Sequence, residues 1–134
     1  MTALGRTFAA ASNLFENRKR QFYPIGPGCG ACPPDALTGR EVVALDYNQD
    51  GLLDLYITED RYSNKAPQSR LFKNLGGLRF EDATAQAGLP QGLAGLGAAV
   101  ADVNEDGYPD LFVADSNRLF LSDGQGHYRE ALSL

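Results

Sequence analysis

Asp46-Tyr-Asn-Gln-Asp-Gly-Leu-Leu-Asp54 recurs 56 positions later as Asp102-Val-Asn-Glu-Asp-Gly-Tyr-Pro-Asp110, each copy between two short apolar runs. Oxygen-bearing side chains at loop positions 1, 3 and 5 turn toward one centre when the backbone curls, and Gly51 or Gly107 at position 6 permits the sharp bend. Three carboxylates and one amide per loop repel one another without a counter-ion. Such a set suits a hard cation such as Ca²⁺ far better than a thiophilic metal.

Asp-x-Asn-x-Asp-Gly also opens the helix-flanked calcium hand, which needs a bidentate Glu at position 12 and a helix on either side. Position 12 here is Ile57 or Val113, so Asp54 and Asp110 at position 9 are left to supply the closing carboxylate. The flanks are Glu41-Val-Val-Ala-Leu45 and Leu55-Tyr-Ile-Thr58 in one copy, Ala98-Ala-Val-Ala101 and Leu111-Phe-Val-Ala114 in the other. These runs are short, rich in β-branched and aromatic residues and bounded by turn residues, and Pro109 would damage a helix. The spacing predicts strand, metal loop, strand.

The similarity continues past the loops. Ser69-Arg-Leu-Phe-Lys-Asn-Leu-Gly-Gly-Leu-Arg-Phe-Glu81 matches Asn117-Arg-Leu-Phe-Leu-Ser-Asp-Gly-Gln-Gly-His-Tyr-Arg129, each a hairpin turning at glycines. Ser12-Asn-Leu-Phe-Glu-Asn-Arg-Lys-Arg-Gln-Phe22 reads as a third, degenerate copy. Four strands per unit at this period are the signature of propeller blades rather than of a sandwich. The expected fold is all-β, with a partial blade over 1–26, a Cys/Pro/Gly-rich connection over 27–40, and blades over 41–90 and 91–134. Leu71, Phe72 and Phe80, with Leu119, Phe120 and Tyr128 as counterparts, are expected to pack between blades.

Gly95-Leu-Gly-Ala-Ala-Val-Ala-Asp102, the Asp-x-Asn-x-Asp-Gly-x-x-Asp-Leu loops and the hairpin ending Phe80-Glu-Asp-Ala-Thr84 together resemble the FG-GAP/VCBS repeat family, the integrin-α-type β-propeller. The likeness points to its branch similar to cartilage acidic protein and is weakest over the first 25 residues. It implies a calcium site in each loop, at Asp46, Asn48, Asp50 and Asp54 and at Asp102, Asn104, Asp106 and Asp110, with the Leu52 and Tyr108 carbonyls as further ligands. It also implies a propeller serving adhesion, protein or glycan binding, or scaffolding. Asn at the second ligand position removes one charge per site relative to an all-Asp loop, which lowers the expected affinity.

A propeller normally needs at least four blades, and 134 residues hold two complete units and a part of a third. Thr7 to Ser12 resembles a second blade strand with no metal loop before it, so the chain reads as beginning inside a blade. The expected partners are further blades or other copies of the chain, because open edges and apolar blade faces promote association. The alternative to ligand binding is then a structural subunit that builds a ring or a fibre.

The formal charge of −5 has the six ligand-position carboxylates as its largest cluster, so the acidity belongs to the loops. Nothing in it suits a nucleic acid, whose backbone needs a basic surface. Arg18-Lys-Arg20 reads as a solvated hairpin turn, and no apolar run reaches membrane-spanning length. Cys29-Gly-Ala-Cys32 suits a local disulfide in an extracellular or cell-surface protein, with a pair of thiols as the alternative; Pro33-Pro34 opposes a redox helix, and zinc would need two more soft ligands. Met1-Thr-Ala-Leu-Gly5 holds no secretory apolar segment, so for an exported protein the signal is expected to have been removed or to lie in sequence not shown. His127, the one histidine, lies in a turn, no catalytic constellation is visible, and a duplicated carboxylate set argues against the single asymmetric site that catalysis needs. The chain is expected not to be an enzyme.

Overall fold

The computed structural model describes residues 15–24, 29–31, 39–60 and 66–133. These form ten strands and, among the described residues, no α-helix. The first two, β1 (Phe15–Arg18) and β2 (Gln21–Pro24), make a hairpin whose turn residues Lys19 and Arg20 have φ of 52° and 72°. Two positive φ values give the turn whose twist matches the flanking strands, so Arg18-Lys-Arg20 is the hairpin turn read from the sequence. The expected strand over Thr7 to Ser12 lies outside the described residues, as does Cys32, and with it the disulfide.

Two four-stranded antiparallel sheets follow, each a simple meander. The first runs β3 (Gly39–Leu45), β4 (Asp54–Glu59), β5 (Arg70–Asn74) and β6 (Phe80–Asp82); the second runs β7 (Gly95–Ala101), β8 (Asp110–Asp115), β9 (Arg118–Ser122) and β10 (Tyr128–Ser133). They are equivalent in register, with Leu55 opposite Phe72 in one and Leu111 opposite Phe120 in the other. Even their irregularities repeat, a bulge between Gly39 and Val42 recurring between Gly95 and Ala98. The architecture is that of propeller blades that do not close a ring.

Alternation along each strand gives every sheet two apolar faces, and the sheets stack so that opposite faces meet. Tyr56 and Leu71, cross-strand neighbours on one face of the first sheet, are 1% and 0% exposed beneath Leu111, Val113 and Phe120 of the second. Ala83, Ala87, Leu89 and Leu93, on the connection between sheets, fill the rest of that seam. Backbone bonds fasten it, Ser69 N–H donating to Leu93 and Tyr128 N–H to Ala87 at 3.0 and 2.8 Å. Gly95 is required here because a Cβ would stand 2.8 Å from Val113 and 3.1 Å from Thr58.

The opposite face of the first sheet, with Phe72, Leu55, Ile57 and Phe80, packs against Cys29 and Ala31. Leu71 and Phe72, adjacent in sequence, therefore serve different contacts, whereas the sequence reading placed all six hairpin residues between blades without dividing them. Leu119 is half-buried on the far face of the second sheet. Glu41 ties the sheets at their inner strands, its Oε2 accepting the Ala98 N–H at 2.7 Å.

Truncating a buried aromatic removes its transfer energy and leaves a cavity, so Phe72→Ala and Phe120→Ala should each cost roughly 3–5 kcal/mol in denaturant unfolding. Phe80→Ala, at a half-buried position, should cost visibly less in the same measurement.

Candidate metal centre

Both Asp-x-Asn-x-Asp-Gly stretches form the loop between the first two strands of their sheet, β3 to β4 and β7 to β8. The loop backbones agree in detail. Gln49 and Glu105 at position 4 have φ of 58° and 59°, and Gly51 and Gly107 at position 6 have 84° and 89°. Left-handed geometry at position 6 is costly for any residue with a Cβ, which is why glycine recurs there.

The same hydrogen bonds hold both curls. Asp50 N–H donates to Asp46 Oδ1 at 3.1 Å and to Asn48 Oδ1 at 3.3 Å; Asp106 N–H donates to Asp102 and Asn104 at the same distances. Gly51 N–H reaches Asp46 Oδ2 at 2.9 Å, and Gly107 N–H reaches Asp102 Oδ2 at 2.7 Å. Asn48 and Asn104 donate their amides to Asp50 and Asp106 Oδ2, both at 2.9 Å. Leu52 and Tyr108, read from the sequence as carbonyl ligands, are set at the loop exit by N–H donation to Asp50 and Asp106 Oδ1. These bonds hold the Asp50 carboxyl below the ordinary carboxylate range, the Leu52 N–H having the largest influence and the Asn48 amide the next.

Asp54 and Asp110 stand apart from the exposed members. They are 0% and 1% exposed at the first residue of β4 and β8. Asp54 Oδ2 accepts Tyr47 N–H at 3.2 Å and Oδ1 accepts Asn74 N–H at 2.7 Å; Asp110 takes Val103 and Ser122 N–H at 2.9 and 2.8 Å. Each carboxylate thus pins the start of its loop to the end of the third strand. Burial pushes the Asp54 carboxyl up, opposed by its two N–H donors and reinforced by the charges of Asp50 and Asp46.

This pinning was not visible in the sequence, because the third-strand partner lies 20 residues beyond Asp54 but 12 beyond Asp110. Only the strand register makes the two equivalent. A second missed feature is Tyr47, which stacks on Tyr128 of the other sheet with ring centroids 6.4 Å apart and planes 17° from parallel, tying the first loop to the seam.

The chemistry of the donor set fits a hard divalent cation. Each bonded carboxylate oxygen accepts one N–H and keeps a second lone pair. Among the described residues, no Lys or Arg forms an ion pair with Asp46, Asp50, Asp102 or Asp106. Nor, among them, do three His, Cys, Asp or Glu side chains gather as a metal cluster, and Asp54 and Asp110 are buried. His127 sits in the β9–β10 turn, its Nδ1 3.4 Å from Asp123 and its side chain 65% exposed.

A model of the FG-GAP-like repeat matches residues 46–113, just over half the chain. The chain belongs to the FG-GAP-like repeat family. The matched span opens on the first residue of one loop and closes inside β8, so it encloses both loops and the connection between the sheets. No curated protein matches the chain, and the branch similar to cartilage acidic protein that the motifs suggested is not supported.

Asp110→Ala leaves the part-buried Val103 N–H and the buried Ser122 N–H without an acceptor and should cost roughly 2–4 kcal/mol in chelator-treated protein. Asp106→Ala, on an exposed turn, should change stability by less than about 1 kcal/mol under the same conditions. Denaturant melts of the two variants check the division between pin and exposed loop.

Proposed function

We propose that this chain is a calcium-binding, non-catalytic FG-GAP module of an extracellular or cell-surface β-propeller, acting in adhesion or in protein or glycan binding. The observation that carries the reading is the duplication of one loop conformation, hydrogen bond for hydrogen bond, around closely spaced carboxylates. In each loop Asp46, Asn48 and Asp50, or Asp102, Asn104 and Asp106, would face the ion. Asp54 and Asp110 would close the site from beneath with their remaining lone pairs, and the Leu52 and Tyr108 carbonyls would complete it. Bound Ca²⁺ would neutralise the crowded carboxylates and hold the curl, leaving no chemistry for it to perform.

An exposed loop with one amide in place of a carboxylate suits the weak calcium affinities of extracellular modules, where the ion is abundant. The Cys29-Gly-Ala-Cys32 stretch suits the same compartment if it is oxidised. The reading as a binding module rests on family membership together with a surface in which His127 is a turn residue rather than part of a nucleophile and base pair. No helix among the described residues is long and apolar enough to cross a membrane. A self-assembling subunit is the second reading, favoured by the half-buried Phe112 and Leu119 on the outward face of the second sheet.

Calorimetric titration of the full chain with Ca²⁺ should give two sites per chain and a raised melting temperature. Asp50→Ala and Asp106→Ala should each leave one site, and the double variant none. Absence of a binding signal and an identical melt in excess chelator would overturn the calcium reading.

A further inference from the structure

We infer that the β9–β10 turn, residues 123–127, is a strut between the two acidic loops, so that a cation held in one raises the affinity of the other, a coupling that rests on the calcium reading of both. Tyr47 and Tyr108, neither of them a carboxylate of the motif, are its positioning residues. At one end Gly124 lies flat against the Tyr108 ring with no room for a Cβ between them, and Tyr108 is the position-7 residue whose carbonyl would face the ion. Asn104 and Asp106 of the same loop line one cleft with Asp123 and His127. At the other end Gly126 lies against the first loop, where a Cβ would stand 3.4 Å from Asn48 and 3.5 Å from Tyr47. Tyr128, the first residue of β10, then stacks on Tyr47 with ring centroids 6.4 Å apart. Only Gln125 separates the two glycines.

The turn is braced by its own hydrogen bonds. Asp123 Oδ1 accepts Gln125 N–H at 2.7 Å and His127 N–H at 3.1 Å, Asp123 N–H donates to the His127 carbonyl at 3.0 Å, and Ser122 Oγ accepts Gly124 N–H at 3.1 Å. Ser122 N–H donates in turn to Asp110, the buried aspartate of the second loop, at 2.8 Å. A braced, close-packed element passes a shift at one end to the other rather than absorbing it. Both loops share one conformation, and the turn fits both curls as they stand. An ion that holds one curl in that shape therefore holds the turn where it supports the other, and the effect is reciprocal.

Calorimetric titration of the full chain with Ca²⁺ reads the coupling. For independent loops the product of the two wild-type association constants equals the constant of Asp50→Ala times that of Asp106→Ala, since each variant keeps one loop. The strut should raise the wild-type product about five-fold or more above that value. Tyr47→Val and Tyr108→Leu each install the residue that the other loop carries at the same position, keep every backbone carbonyl and cut one end of the strut. In either background the excess should vanish, whereas Tyr47→Phe, which keeps the stacked ring, should retain it. In Asp50→Ala, Ca²⁺ should also shift the amide resonance of Tyr47, across the seam from the loop that fills. Tyr108→Leu, at a half-buried position, carries the test should Tyr47→Val fail to fold. Two sites with no excess, or an excess that survives Tyr108→Leu, overturn the strut and leave the calcium reading standing. No heat of binding in the wild type overturns both.

Discussion

Burial between the two sheets is the interaction on which the rest of the structure depends. Neither meander can hide its apolar residues alone, since a four-stranded sheet has two faces and both carry large side chains here. Stacking removes Tyr56, Leu71, Leu111, Val113 and Phe120 from water together. At about 25 cal/mol per Å² of apolar surface, that contact outweighs any single hydrogen bond in the molecule. It also fixes the loops. Tyr47 and Tyr128 meet only because the sheets are in contact, and Gly126 lies against Asn48 and Tyr47 across the same seam.

The ninth-position aspartates show how an acidic loop is joined to its scaffold, because the carboxylates of the motif do two different jobs. Asp46, Asp50 and their counterparts shape an exposed curl by accepting its own N–H groups. Asp54 and Asp110 are buried and hold that curl against the third strand. A carboxylate in that position loses hydration, and the two N–H donors compensate, which is the usual requirement for burying a charge. The charges of Asp46 and Asp50 act against the ionised Asp54, so a cation in the loop would relieve the pin as well as the curl. Calcium binding, as proposed, would then be felt in the sheet and not only at the surface.

The faces left outside the seam carry the same logic outward. One repeat covers the next by presenting the Leu55 and Phe72 face, or its Leu111 and Phe120 equivalent, to the residues before it. Among the described residues, Phe112 and Leu119 on the outward face of the second sheet are only half-buried. Ring closure or association is the general remedy for such a surface in repeat architectures.

How much was legible in the sequence follows from the range of the forces involved. The duplicated loops, the strands around them, the glycines at position 6 and the hairpin turn at Lys19 and Arg20 are local, set by sterics and by patterns within a dozen residues. They were readable because the chain states them twice. The division of Leu71 and Phe72 between two contacts was decided by which face met which neighbour, and adjacent residues of one strand carry no mark of that. The pinning of Asp54 by Asn74 and of Asp110 by Ser122 likewise depended on strand register, which brings together residues at unequal sequence separations. Sequence alone determined the repeat and its loops, because those follow from the local backbone. Tertiary structure alone decided which carboxylates stay exposed and which faces stay open, because burial is a property of the assembled sheets.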